Sequence, residues 1–95
     1  MYEEWFEKLA IKVGLSNIHQ NKNSIELVFP EKVVYRLNME EIFMMAMDIT
    51  RMFRFKTKGS NLLIILDIIK LDRHPIYYLV EILTKINDYL EKHLD

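Results

Sequence analysis

His19, His74 and His93 are the three side chains best suited to proton transfer or metal binding near neutral pH. They are scattered through the chain, and none has the spacing of a helical metal motif such as H-E-x-x-H. Each reads as a solvated or locally capping residue. The adjacent Glu40 and Glu41 could act as paired acid–base carboxylates. They fall, however, in the first turn of a helix, where the dipole favours negative charge without any catalytic role. The chain has no cysteine, which excludes a thiol nucleophile, a thiolate metal site and a disulfide framework. Its two glycines, Gly14 and Gly59, both suit turns. No phosphate loop, G-x-S-x-G elbow or dinucleotide fingerprint is present. The expectation is a domain that is not an enzyme, with no cofactor and no metal.

The positive signals concern surfaces. Arg51, Arg54, Lys56 and Lys58 place four cationic side chains within eight residues, with no acid inside the run. Arg54, Lys56 and Lys58 alternate, so a strand would put them on one face and Phe53 and Phe55 on the other. Such a face can meet nucleic-acid phosphates or an acidic protein surface, or simply be solvated. Single-strand binding would need aromatics among the cations, and the alternation separates them. Met44 falls on a helix face otherwise occupied by Glu40, Asp48 and Arg51, as an adaptable contact would. Tyr78, Ile82 and Tyr89 form a lateral stripe on the last helix. The candidate partner surface is therefore Arg54, Lys56, Lys58, Met44, Tyr78 and Tyr89.

Ninety-five residues suit one domain with a thin core. A composition 51% hydrophobic and 28% charged excludes disordered and fibrous classes. The net charge of −1 argues against a dedicated nucleic-acid domain. That neutrality conceals a split. Residues 1–48 carry five basic and eight acidic side chains, and 49–95 carry eight and six. The N-terminus has no signal-peptide pattern. No apolar run, Leu62 to Leu66 included, comes near the roughly 20 residues of a membrane span. A cytoplasmic location with no membrane partner is expected.

These side chains must be positioned by a small set of elements. Apolar spacing at Tyr2, Trp5, Phe6, Leu9 and Val13 predicts a helix over 2–13, stopped by Gly14. Asn17 to Gln20 and Ser24 to Phe29 read as a hairpin around Asn21-Lys22-Asn23. Pro30 ends the second strand, and the alternating Val33, Tyr35 and Leu37 suggest a third short strand or an extended connector. Asn38 and Glu41 fit a capping-box-like start to a helix. Met39, Ile42, Phe43, Ala46, Ile49 and Thr50 share its apolar face. A second hairpin joins Phe53–Lys58 to Leu62–Ile69 through Gly59-Ser60-Asn61, and its second strand is apolar on both faces, as a central strand would be. Pro75 starts a final helix, with His74 or Asp72 at the cap and a core stripe from Ile76 to Leu94. The order helix-hairpin-helix-hairpin-helix indicates an α+β single domain with a mainly antiparallel sheet packed by helices.

The segment Leu9-Ala10-Ile11-Lys12-Val13-Gly14-Leu15-Ser16-Asn17-Ile18, a helix end running into a strand, is followed by the apolar–polar strand Ile25 to Phe29. Then come a helix at 39–52, a basic-aromatic strand, a very apolar strand and a long terminal helix. From Trp5 to Tyr89 this order and spacing resemble the C-terminal domain of bacterial transcription-repair-coupling factor, the Mfd family. The resemblance implies a regulatory domain cut from a much larger DNA translocase that links stalled RNA polymerase to nucleotide excision repair. In that family the ATPase motifs lie in other domains. The C-terminal domain docks intramolecularly on the N-terminal UvrB-like module and masks its UvrA-binding surface. Family members also carry an acidic helical segment upstream that contributes to docking and is not part of these residues. The alternative expectation is a small nucleic-acid-binding module using the basic strand face.

Overall fold

The protein is described by a computed structural model over residues 4–93. Tyr2 and Leu94, both assigned above to apolar stripes, lie outside the described residues. Helix α1 spans Glu4–Val13 and buries Phe6, Ala10 and Val13, one line at i, i+4 and i+7. Trp5, expected in the stripe, is instead 53% exposed, because it lies beside that line rather than on it. Gly14 ends the helix with φ 99, and its N–H and that of Leu15 both return to the Ala10 carbonyl.

Strands β1 (Asn17–Gln20) and β2 (Ser24–Phe29) form the first hairpin. Its turn is organised by Asn21, whose Oδ1 accepts hydrogen bonds from the N–H groups of Asn23 and Ser24, each at 2.9 Å.

The following segment corrects the sequence expectation. Glu31–Val34 is a short helix, α2, and hydrogen bonds to the carbonyls of Pro30, Glu31, Val33 and Val34 carry the coil through to Leu37. The element order therefore holds a helix that helix-hairpin-helix-hairpin-helix lacks. Val33 and Leu37 are four apart and point into the core, whereas Tyr35 is 80% exposed. An alternating triplet contains this helical pair, so its pattern alone does not separate strand from helix.

Helix α3 spans Met39–Ile49, and Asn38 Oδ1 caps it by accepting from the Glu41 N–H at 3.1 Å. Strands β3 (Phe53–Lys58) and β4 (Asn61–Asp67) form the second hairpin. Lys58 pairs with Asn61, so the loop is only Gly59-Ser60, with Gly59 at φ 62. Helix α4 spans Pro75–Lys92; Pro75 occupies its first turn, and His74 Nδ1 accepts from the Ile76 N–H at 3.1 Å.

The strands make one antiparallel sheet in the order β1-β2-β4-β3. The apolar β4 is thus central, and β3 is an edge. Ile25, Leu27, Phe29, Phe53, Leu62, Ile64 and Leu66 point to one face and join buried residues of all four helices in a single cluster. On α4 these are Leu79, Ile82, Leu83, Ile86, Tyr89 and Leu90. The helices therefore cover one face of the sheet only. Val28, Leu63 and Ile65 run along the middle of the other face, outside that cluster.

Candidate functional site

Arg54, Lys56 and Lys58 share the helix-free face of the sheet, as their alternation along β3 requires. Arg54 is not an uncompensated cation. Its guanidinium makes a two-point contact with Asp67, Nε to Oδ2 at 2.9 Å and an Nη to Oδ1 at 3.1 Å. The hydrogen bond that Arg54 donates to Asp67, reinforced by the carboxylate's charge, raises the Arg54 pKa above its ordinary value, and Glu26 adds to the effect. The balancing acid comes from β4, thirteen residues away, so inspection of the basic run alone misses it. Among the described residues Lys56 and Lys58 form no ion pair.

Between these charges Leu63 and Ile65 are only 8% and 5% exposed, although no helix covers them. Lys56 lies opposite Leu63, and Arg54 and Glu26 lie opposite Ile65 from either side. Long aliphatic stems in register with a central apolar strip shield it while their heads stay in water. The apolar content of β4 on this face is accordingly a packing feature of a charged sheet surface.

Helix α3, on the other side of β3, also carries exposed apolar side chains. Phe43 is 45% exposed and Met44 62%. The Phe43 ring meets Phe55 edge-to-face, with centroids 5.4 Å apart. Met39, Glu40, Phe43, Phe55, Lys56, Thr57 and Leu62 line a groove of 440 Å³. The helical spacing places Phe43 on the core stripe, but α3 sits at the rim of the sheet, so the stripe overhangs the edge strand. Nothing in the helix's own sequence marks that offset.

The two tyrosines of the candidate surface separate. Tyr78 is half-buried and donates its hydroxyl to Asp72 in the preceding loop. Tyr89 is 8% exposed and belongs to the core. Its hydroxyl accepts from the Asn38 N–H at 3.2 Å, and its ring stacks on His93. Tyr89 is thus a strut between α4 and the start of α3 rather than an open contact. Lys56 lies at the seam of α3 with β3, Lys58 farther along β3, Met44 exposed on α3, and Tyr78 at the first turns of α4.

Further clefts among the described residues include the following two. One, of 410 Å³, lies between α1 and β1 and includes Glu7, the 76% exposed Ile11 and Ile18. The other, of 320 Å³, lies between α3 and α4, with Glu41, Lys85, Asp88, Lys92 and His93 around Met45. Among the described residues no group of three or more His, Asp or Glu side chains is arranged to hold a metal ion, and no helix is long and apolar enough to cross a membrane. His19 lies on β1, His74 caps α4 and His93 ends it, so the three are not brought together. Comparison with protein-family models, with curated proteins and with solved structures returned no match.

Proposed function

We propose that this chain is a non-catalytic regulatory domain that acts by docking, in the manner of the transcription-repair-coupling-factor C-terminal domain it resembles. Its partner is the N-terminal UvrB-like module of the same protein, and docking masks the surface that module offers to UvrA. ATP hydrolysis, DNA translocation and contact with RNA polymerase belong to the rest of that longer protein; this domain contributes repression, from the cytoplasm. One observation carries the proposal. An apolar seam of Met39, Phe43 and Phe55 lies open at the border of α3 and β3, next to a cationic strand. Aromatic and methionine side chains exposed together beside charges are the composition of a contact patch.

The test mixes the 95-residue chain with the isolated UvrB-like module and measures binding by calorimetry, with both partners shown to be folded. A complex is expected, and Phe43→Ala should weaken it about tenfold or more, the loss of an aromatic anchor. No complex between folded partners overturns the proposal. Salt-sensitive binding to duplex DNA, abolished by Lys56→Glu with Lys58→Glu, would replace it with the nucleic-acid alternative. The tie between Arg54 and Asp67 already removes one of the three cations on which that alternative depends.

A further inference from the structure

In an antiparallel ladder, directly opposed residues alternate between pairs that exchange both hydrogen bonds and pairs that exchange none. The Asp67 N–H bonds the Met52 carbonyl, which sets the phase of the β3–β4 pairing. Continuing along the register, Arg54, Lys56 and Lys58 direct their main-chain groups at β4. Phe53, Phe55 and Thr57 therefore direct theirs outward, and β3 is the edge of the sheet, so no strand of the described residues meets them. The side chains of these three residues point to the helix face, where Phe55 meets Phe43 beside the 440 Å³ groove. The side chains of Lys56 and Lys58 point to the other face and form no ion pair among the described residues.

We infer that the β3 edge accepts an extended partner segment whose residues alternate apolar and acidic, added antiparallel or parallel as a fifth strand. Strand addition supplies main-chain hydrogen bonds for affinity, and side-chain alternation supplies the choice of partner. The added strand lies about 4.8 Å from β3. Its apolar side chains then cover Phe55, Phe43 and Met39 on the helix side. Its acidic side chains face Lys56 and Lys58 on the open side. Edge lysines commonly deter strand pairing; here they reject cationic and neutral strands and admit acidic ones. The inference rests on the docking proposal above for the location of the contact surface, and adds the chemistry of the segment that occupies it.

The test titrates an acetylated, amidated octapeptide of alternating valine and glutamate into the 95-residue chain. Amide exchange is read residue by residue by NMR. At saturation, protection of the Phe55 and Thr57 amides should rise at least fivefold, with the Arg54 and Lys56 amides, already bonded to β4, little changed. Lys56→Glu with Lys58→Glu, and separately Phe43→Ala, should each weaken binding at least fivefold while the domain stays folded. The inference is overturned by any of three results. These are no saturable change at millimolar peptide, equal binding of an alternating valine–lysine peptide, or protection along β1 instead. The two proposals fail separately. Peptide binding without binding of the UvrB-like module leaves the strand-addition inference standing and removes the docking proposal. Module binding that leaves the Phe55 and Thr57 amides unprotected does the reverse.

Discussion

The hydroxyl of Tyr78 donates to Asp72 and ties the loop before α4 to the helix itself. That bond is the main reason the Asp72 carboxyl sits below its ordinary value, and the same bond holds the Tyr78 phenol above its own. A depressed carboxyl stabilises the folded state at pH values above its unfolded pKa, near 4, and that contribution is lost as pH falls through the folded pKa. A raised phenol contributes below about pH 10, and its contribution is lost as pH rises through the folded value. Tyr78→Phe should therefore move the Asp72 carboxyl titration, followed by NMR, upward toward its ordinary range. It should also flatten the acid limb of stability below about pH 4. Asp72 is exposed and Tyr78 only half-buried, so the effect is a small change of slope. At this scale the sequence was readable wherever a side chain acts on its near neighbours. A cap at His74 or Asp72 and an exposed Met44 both follow from local position, and His74 is the one that caps. The Asp67 partner of Arg54 and the burial of Tyr89 depend on strand register and on helix packing, which one-residue arguments do not reach.

Helix α3 begins at a side-chain cap, and its N-terminal turn is also held by Tyr89 from α4. Asn38→Ala removes the cap and should cost about 1 kcal/mol in chemical denaturation, whereas Asn38→Gly should cost only a few tenths. If alanine and glycine behave alike, the side-chain bond to the Glu41 N–H is not what sets the start of this helix. The consequence reaches the seam, because Met39 and Phe43 ride on the first turns of α3. Elements with two agreeing signals were legible in advance. The α3 start has an Asx cap plus Glu41, the second hairpin has glycine between an alternating strand and a continuously apolar one, and α4 has proline after a polar cap candidate. α2 was not, because Val33 and Leu37 satisfy both a strand and a helix period, and the choice falls to the core that Val33 must enter. The crowding there is close: a Cβ placed on Gly14 would meet the Val33 side chain at 2.9 Å.

With all helices on one side of a single sheet, the molecule has two unequal apolar regions: one shared core, and a narrow strip sheltered by charged stems. Phe6 is fully buried in the former and Leu63 is 8% exposed in the latter. Phe6→Ala leaves a cavity where α1 joins the cluster and should cost about 3–5 kcal/mol, a large part of the roughly 5–15 kcal/mol that holds a domain together. Leu63→Ala should cost about 2 kcal/mol, the lower end of the range for leucine truncation, since the flanking stems can settle into the space. One shared core also implies one transition. Trp5, the sole tryptophan, sits half exposed on α1 beside Phe6 and reports on that helix alone. Far-ultraviolet circular dichroism reports on every element. In both variants and in the parent the two signals should trace the same urea curve, with an unchanged slope. Earlier loss of the Trp5 signal would mean that α1 detaches before the sheet and α4 unfold, and that the cluster is two cooperative units.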